Sequence, residues 1–120
     1  MIKKVYTNKE EFQTQNQELN TNLPFEDDIS VLGESYKIGN KTVPNRLACQ
    51  AMEGCDGTAD GLPDTLTKRR YKRFSEGGAG IIWFEATAVM EEGRANPRQL
   101  CIREDNLDNF KQIVADIKET

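Results

Sequence analysis

The stretches NRLACQAMEGCDGTADG, residues 45–61, and GGAGIIWFEATAVMEEGR, residues 77–94, decide the fold. Each sets a short apolar run directly before a loop of small and acidic residues, and a helix-like stretch separates them. The order is strand, loop, helix, strand, loop, with polar chemistry gathering where each strand ends. Parallel α/β enzymes are built in this order and hold their ligands at the carboxyl ends of the strands. Two strands cannot complete such a sheet, so the chain reads as the opening part of a larger one.

Working outward, the run Ala79-Gly80-Ile81-Ile82-Trp83-Phe84 is continuously apolar, which suits a strand covered on both faces, and a strand is expected over 79–89. A buried strand is expected over 46–52. The loop between, 53–64, carries Gly54, Gly57, Gly61 and Pro63. Asp64 is placed to cap a helix from Thr65 to about Glu76, and Gly77-Gly78 to end it. Asp105 or Asn106 caps a second helix with the apolar stripe Leu107, Phe110, Val114 and Ile117. Upstream, Gly39-Asn40 between SYKI and KTVPNRLAC predicts a tight hairpin, and Pro44 suits a strand edge. Residues 7–22 are polar apart from Phe12 and Leu19. They read as a mobile arm, or as a short helix that orders only against a partner. The organisation expected is a polar arm over 1–28 and α/β structure over 29–120.

The chain has 120 residues and a formal net charge of −4, which gives no global electrostatic reason to expect nucleic acid or a membrane surface. No apolar run is long enough to span a bilayer, and MIKKVYTNKEEF lacks the apolar core of a secretory signal. Three cysteines, Cys49, Cys55 and Cys101, form no CxxC pair and point to free thiols in a cytoplasmic protein. The chain has no histidine, so Ser-His, Cys-His and His-metal mechanisms have no base or ligand within it.

Several motifs invite stronger readings. Gly77-Gly78-Ala79-Gly80 imitates a dinucleotide fingerprint, but it ends a helix and leads into a strand, the reverse of a phosphate loop. Asp56, Thr58, Asp60, Gly61 and Asp64 imitate part of a calcium loop, yet Thr67 stands where a bidentate Glu is required, so a polar turn is expected and no metal site. The run Lys68 to Arg73 reads as the solvated outer face of a helix. Glu53 and Glu85 stand at or near the two strand ends, where paired carboxylates can do acid–base work. The bland reading leaves Glu53 in water and pairs a buried Glu85 with an arginine such as Arg46. Cys49 reads as an inert core residue. Cys55 is the one thiol placed where reactivity would matter, and it reads as unactivated.

These segments together resemble the N-terminal part of the Old Yellow Enzyme family of flavin-dependent NAD(P)H oxidoreductases. YKIGNKTVPNR resembles the family's bottom hairpin and LACQAME its first barrel strand. DGTADGLPDTLTKRRYKRFSEGGAG resembles the first loop and helix, and IIWFEATAVMEEGRA the second strand with its Glu-Ala-Thr and Gly-Arg signature. The resemblance implies the N-terminal part of a (β/α)8 TIM barrel, incomplete here, that holds FMN at its C-terminal mouth and takes NAD(P)H as reductant. It puts the backbone of Gln50, Ala51, Met52 and Glu53, together with Ala86, against the flavin ring, and Cys55 near the substrate. The family usually has Pro where this chain has Ala51, and commonly Thr or Cys in place of Glu53. Its substrate-binding histidine or His/Asn pair, proton-donating tyrosine and phosphate-binding arginines belong to later strands, so no catalytic residue is expected in this chain.

The expectation is therefore the N-terminal quarter of an FMN-dependent reductase passing hydride from NAD(P)H through the flavin to an activated alkene or related small-molecule acceptor. Alone, the piece is expected to be inactive, to retain no FMN, and to be unstable or self-associating through its open strand edges. The alternative is a non-enzymatic α/β module that binds a partner through the arm and the basic helix.

Overall fold

The computed structural model describes residues 5–119. The chain divides into two compact units, one ending at Ser30 and the other beginning at Val31. In the first, α1 (Lys9–Glu18) opens on Asn8, whose extended backbone lets its side chain accept the N–H of Glu11 at 2.9 Å. Glu10 and Glu11 occupy the positive end of the helix. No residue of α1 is buried, yet Phe12 sits between Tyr6 and Phe25, with ring centroids 5.5 and 5.4 Å away. Asn16 binds both backbone groups of Leu23, donating to its carbonyl at 2.8 Å and accepting its N–H at 2.9 Å. The polar stretch is thus a helix with its return segment folded back on it.

The second unit begins with the expected hairpin, β1 (Tyr36–Ile38) antiparallel to β2 (Lys41–Val43), with Gly39 at φ +59° in the turn. Then β3 (Ala48–Cys49) pairs in parallel with β4 (Ile81–Ile82), and α2 (Thr65–Glu76) makes the crossover between them. Asp64 caps α2, its side chain accepting the N–H of Thr65 at 2.7 Å, and Gly77 ends it. α3 (Leu107–Lys118) follows a short 3-10 turn at Glu104–Asn106. The hydroxyl of Ser75 on α2 donates to the carbonyl of Ile117 on α3 at 2.7 Å.

The core lies between these helices and β4. Tyr71 stacks on Phe84 at 4.5 Å, and Phe84 meets Phe110 edge-on at 6.4 Å. Leu100 and Cys101 are fully enclosed and Ile113 nearly so. Both strands are shorter than the sequence patterns suggest: two residues each, instead of 46–52 and 79–89, with a further isolated parallel bridge from Ala88 to Cys101. The reason is edge pairing. Among the described residues each strand has one partner, so hydrogen bonding runs out where a neighbour on the other side would sustain it. Ala48 is exposed and Cys49 half-buried, so the buried strand and the core cysteine expected there are corrected, and the core thiol is Cys101. In α3 the inward face runs through Phe110 and Ile113, while Leu107 and Val114 lie at its margin, 39% and 40% exposed. No helix of the described residues is long and apolar enough to cross a membrane.

Candidate functional site

Parallel pairing of β3 and β4 brings their carboxyl ends side by side, and a charged cluster locks them there. Glu85, three residues beyond β4, has a side chain only 1% exposed. One of its oxygens accepts from Arg70 Nη2 at 2.5 Å, and the other accepts the backbone N–H of Gly54, just beyond β3, at 2.9 Å. The Arg70 guanidinium also donates to both oxygens of Asp56, at 3.0 and 2.9 Å. This hydrogen bonding holds Asp56 below the usual carboxylate range. Asp56 further accepts from the hydroxyl of buried Thr67 at 2.8 Å. The Tyr71 hydroxyl accepts the N–H of Glu85 at 2.8 Å, and burial pushes its phenol up to about 12.

This arrangement corrects two expectations. Glu85 is paired with Arg70, because Arg46 stands at the opposite, amino end of the parallel pair and bonds Glu34 at 3.3 Å. The basic run of α2 is not uniformly a solvated face: Lys68, Arg69, Lys72 and Arg73 are exposed, while Arg70 turns inward. The signal was in the spacing, because Thr67, Arg70, Tyr71 and Phe74 lie three and four apart on the one face that packs inward.

A second cluster lies on the loops beyond. The Glu53 carboxylate accepts from Asn96 Nδ2 and from the Cys55 thiol, the latter at 3.4 Å. Asn96 also donates to Cys55 Sγ at 3.3 Å. Donation to Glu53, with lesser help from desolvation and the nearby charges of Glu53 and Glu85, raises the exposed Cys55 thiol above its ordinary value. Cys55 is therefore held as a thiol, in line with its unactivated reading. Arg94, with only 6% of its side chain exposed, donates to the carbonyls of Ala59 at 2.7 Å and Gln99 at 3.1 Å, and pairs with Glu91. Gln99 in turn donates to the carbonyl of Ala86 at 3.2 Å. Two carboxylates of the calcium-like loop are engaged elsewhere, Asp56 with Arg70 and Asp64 in capping α2.

A family model described as the NADH:flavin oxidoreductase / NADH oxidase family matches residues 32–120. The chain belongs to this family. Among relatives, the NADPH dehydrogenase of Geobacillus sp. (strain WCH70) is 33% identical over 93 residues, which is 75% of this chain and 27% of that enzyme. The chain thus spans about a quarter of the length of that relative. The solved structures give the same fold. A 2-naphthoyl-CoA reductase complex matches 75% of this chain and 14% of its own, at TM-score 0.68 and 23% identity. The Old Yellow Enzyme homologue from Zymomonas mobilis matches 73% and 24%, at TM-score 0.64 and 22% identity. The Old Yellow Enzyme from Trypanosoma cruzi matches 74% and 24%, at 0.63 and 24%.

Family membership implies FMN and NAD(P)H as cofactors. In this Old Yellow Enzyme-type chain Gln50, Ala51, Met52 and Ala86 are exposed, Met52 at 75%, and Glu53 is half-buried. Glu85 brings the two strand ends together, so Glu53, just before Gly54, and Ala86, just after Glu85, adjoin two residues that are hydrogen-bonded to one another. Cys55 lies beside Glu53. Sequence reasoning missed Arg70, Asn96 and Gln99, which do the holding. Asn96 and Gln99 flank a proline in a polar loop, and nothing in the sequence separates them from ordinary turn residues.

Proposed function

We propose that this chain supplies the first two β/α units of a (β/α)8 barrel in an FMN-dependent NAD(P)H oxidoreductase of ene-reductase type, residues 1–28 being an added polar arm. Support comes from one observation above the rest: Glu85 pins Gly54, so that Gln50 to Glu53 and Ala86 are offered together at the carboxyl ends of paired parallel strands. Beyond Cys49 the ladder stops, and no hydrogen bond among the described residues engages the backbone groups of Gln50, Ala51, Met52 or Glu53. Those groups suit the donor and acceptor edge of a planar heteroaromatic ring. The residues present therefore fit a flavin at this edge, with Ala86 leaving room where a larger side chain would obstruct it. Bound FMN would supply two-electron hydride chemistry from NAD(P)H to an activated alkene or related acceptor. The chain's own residues bind and orient: 50–53 and Ala86 form the ring floor, Glu53 sets a negative charge at its edge, and Cys55 faces the acceptor side with its proton retained. The proton-donating and phosphate-binding groups are assigned to later strands.

The protein expressed from its full coding sequence is expected to purify yellow, with FMN that bleaches on anaerobic addition of NADH or NADPH. A colourless protein that takes up no FMN would overturn the reading in favour of a non-enzymatic module.

A second expectation concerns Glu53. An ionised carboxylate at the flavin edge opposes the negative charge that reduction adds, by about one to a few kcal/mol in a partly wet site. The escape by pairing with Arg94 is closed, since that guanidinium is bound to Glu91 and to backbone carbonyls. Glu53→Gln should therefore raise the two-electron midpoint potential, at roughly 30 mV per 1.4 kcal/mol. An unchanged potential in a spectroelectrochemical titration would remove Glu53 from the flavin's electrostatics.

A further inference from the structure

Glu53 is a flexible, half-buried side chain in a loop, and left to itself it would sample water. What holds it comes from the other β/α unit. Asn96 lies in the turn after the second strand, 43 residues away in sequence, and its carboxamide is itself fixed. Its Oδ1 accepts the N–H of Arg98 at 2.8 Å, its backbone carbonyl accepts the N–H of Gln99 at 3.1 Å, and the Gln99 side-chain oxygen accepts the N–H of Ala95 at 2.6 Å. With the oxygen engaged, the amide group has one direction left, and both of its contacts there are Glu53 and Cys55.

We propose that Asn96 is a positioning residue that clamps the Glu53 carboxylate against Cys55, so that one unit's loop fixes the charge carried by the other's. Its functional meaning, a fixed negative charge and a retained thiol proton at the acceptor side, rests on the flavin reading above; the clamp itself does not. The geometry fixes the sign of the test. Two carboxylates face the Cys55 thiol, Glu53 from its own loop and Glu85 from the second strand's end, and Asn96 is the one donor to its sulfur among the described residues. If Asn96 acts only as that donor, removing it destabilises the thiolate and slows alkylation. If it acts by clamping Glu53, removing it frees the carboxylate, relieves the thiol and speeds alkylation.

The experiment is the pH profile of iodoacetamide alkylation at Cys55, read peptide by peptide by mass spectrometry on the full protein after any bound flavin has been removed. Glu53→Gln and Asn96→Ala are each expected to speed alkylation near neutral pH by about threefold to tenfold, through a lower apparent thiol pKa at unchanged high-pH plateau. The double variant should be no faster than either single one, as for two residues acting through one contact. Asn96→Ser keeps an oxygen for the Arg98 N–H but cannot reach Glu53, and it should behave like Asn96→Ala if the latter fails to fold. Alkylation unchanged or slowed in the Asn96 variants, or additive in the double variant, overturns the clamp. No flavin enters this readout, so a failure of the flavin reading registers separately, as a colourless protein with the clamp intact.

Discussion

Arg70→Met is expected to destabilise the protein by about 3 kcal/mol or more, read as a lower denaturation midpoint at unchanged m-value. The substitution keeps most of the stem's packing and removes the charge. Glu85 is then left almost fully enclosed with one hydrogen bond, from the Gly54 N–H, and no cation. An uncompensated buried carboxylate of this kind costs about 3–5 kcal/mol, far above the ~1 kcal/mol or less of a surface pair such as Arg46 with Glu34. Replacing both partners, as Arg70→Met with Glu85→Leu, should recover a large part of the loss, because no stranded charge remains. Acid behaviour adds a second signature. The folded-state pKa of Asp56 is depressed by Arg70, so its contribution is complete above the ordinary carboxylate range and disappears as pH falls through the depressed value. Arg70→Met should flatten that acid-side loss as well as lower the neutral-pH stability. A variant as stable as the parent would mean that Arg70 is a surface residue in solution and that the strand ends are held by something else.

This cluster also shows how much a sequence can carry. Helix α2 was legible at both ends, because its limits rest on local chemistry: Asp64 can accept the first free N–H groups, and Gly77-Gly78 can leave the helix. The hairpin was legible for the same reason, with a glycine where the turn needs positive φ. The strands were legible in order and direction but not in extent, since strand length depends on neighbours that local pattern does not encode. At the site, the backbone positions 50–53 and Ala86 came from resemblance to a family. The side chains that hold them, Arg70 and Asn96, act across 15 and 43 residues of sequence, and no spacing rule links such partners. The miss over Arg46 has the same origin: an arginine near in the pattern was preferred to one that the parallel topology brings to the correct end of the strand.

The other large effect is expected at Gly61. Its φ is +76°, a conformation that costs an L-residue about 1–2 kcal/mol, and its carbonyl accepts the N–H of Cys101 at 2.9 Å. A Cβ there would lie 2.7 Å from Cys101 Cβ and 2.9 Å from its nitrogen. Cys101 is fully enclosed and its backbone is bridged to Ala88, so it cannot retreat without breaking that isolated parallel bridge. Overpacking of this kind adds about 1–3 kcal/mol, giving a total near 3 kcal/mol for Gly61→Ala. Gly78→Ala isolates the two contributions. Gly78 has nearly the same φ, +78°, but nothing lies within 4 Å of its Cβ position, so the backbone cost alone should appear there. The difference between the two variants in chemical denaturation then measures how firmly the loop after β3 is pressed onto Cys101. That loop carries Cys55 and Asp56 and follows directly on Glu53, so the same pressure keeps the mouth of the site in register. If Gly61→Ala costs no more than Gly78→Ala, the loop yields freely, and the positions of Glu53 and Cys55 must be set by Asn96 and Arg70 alone.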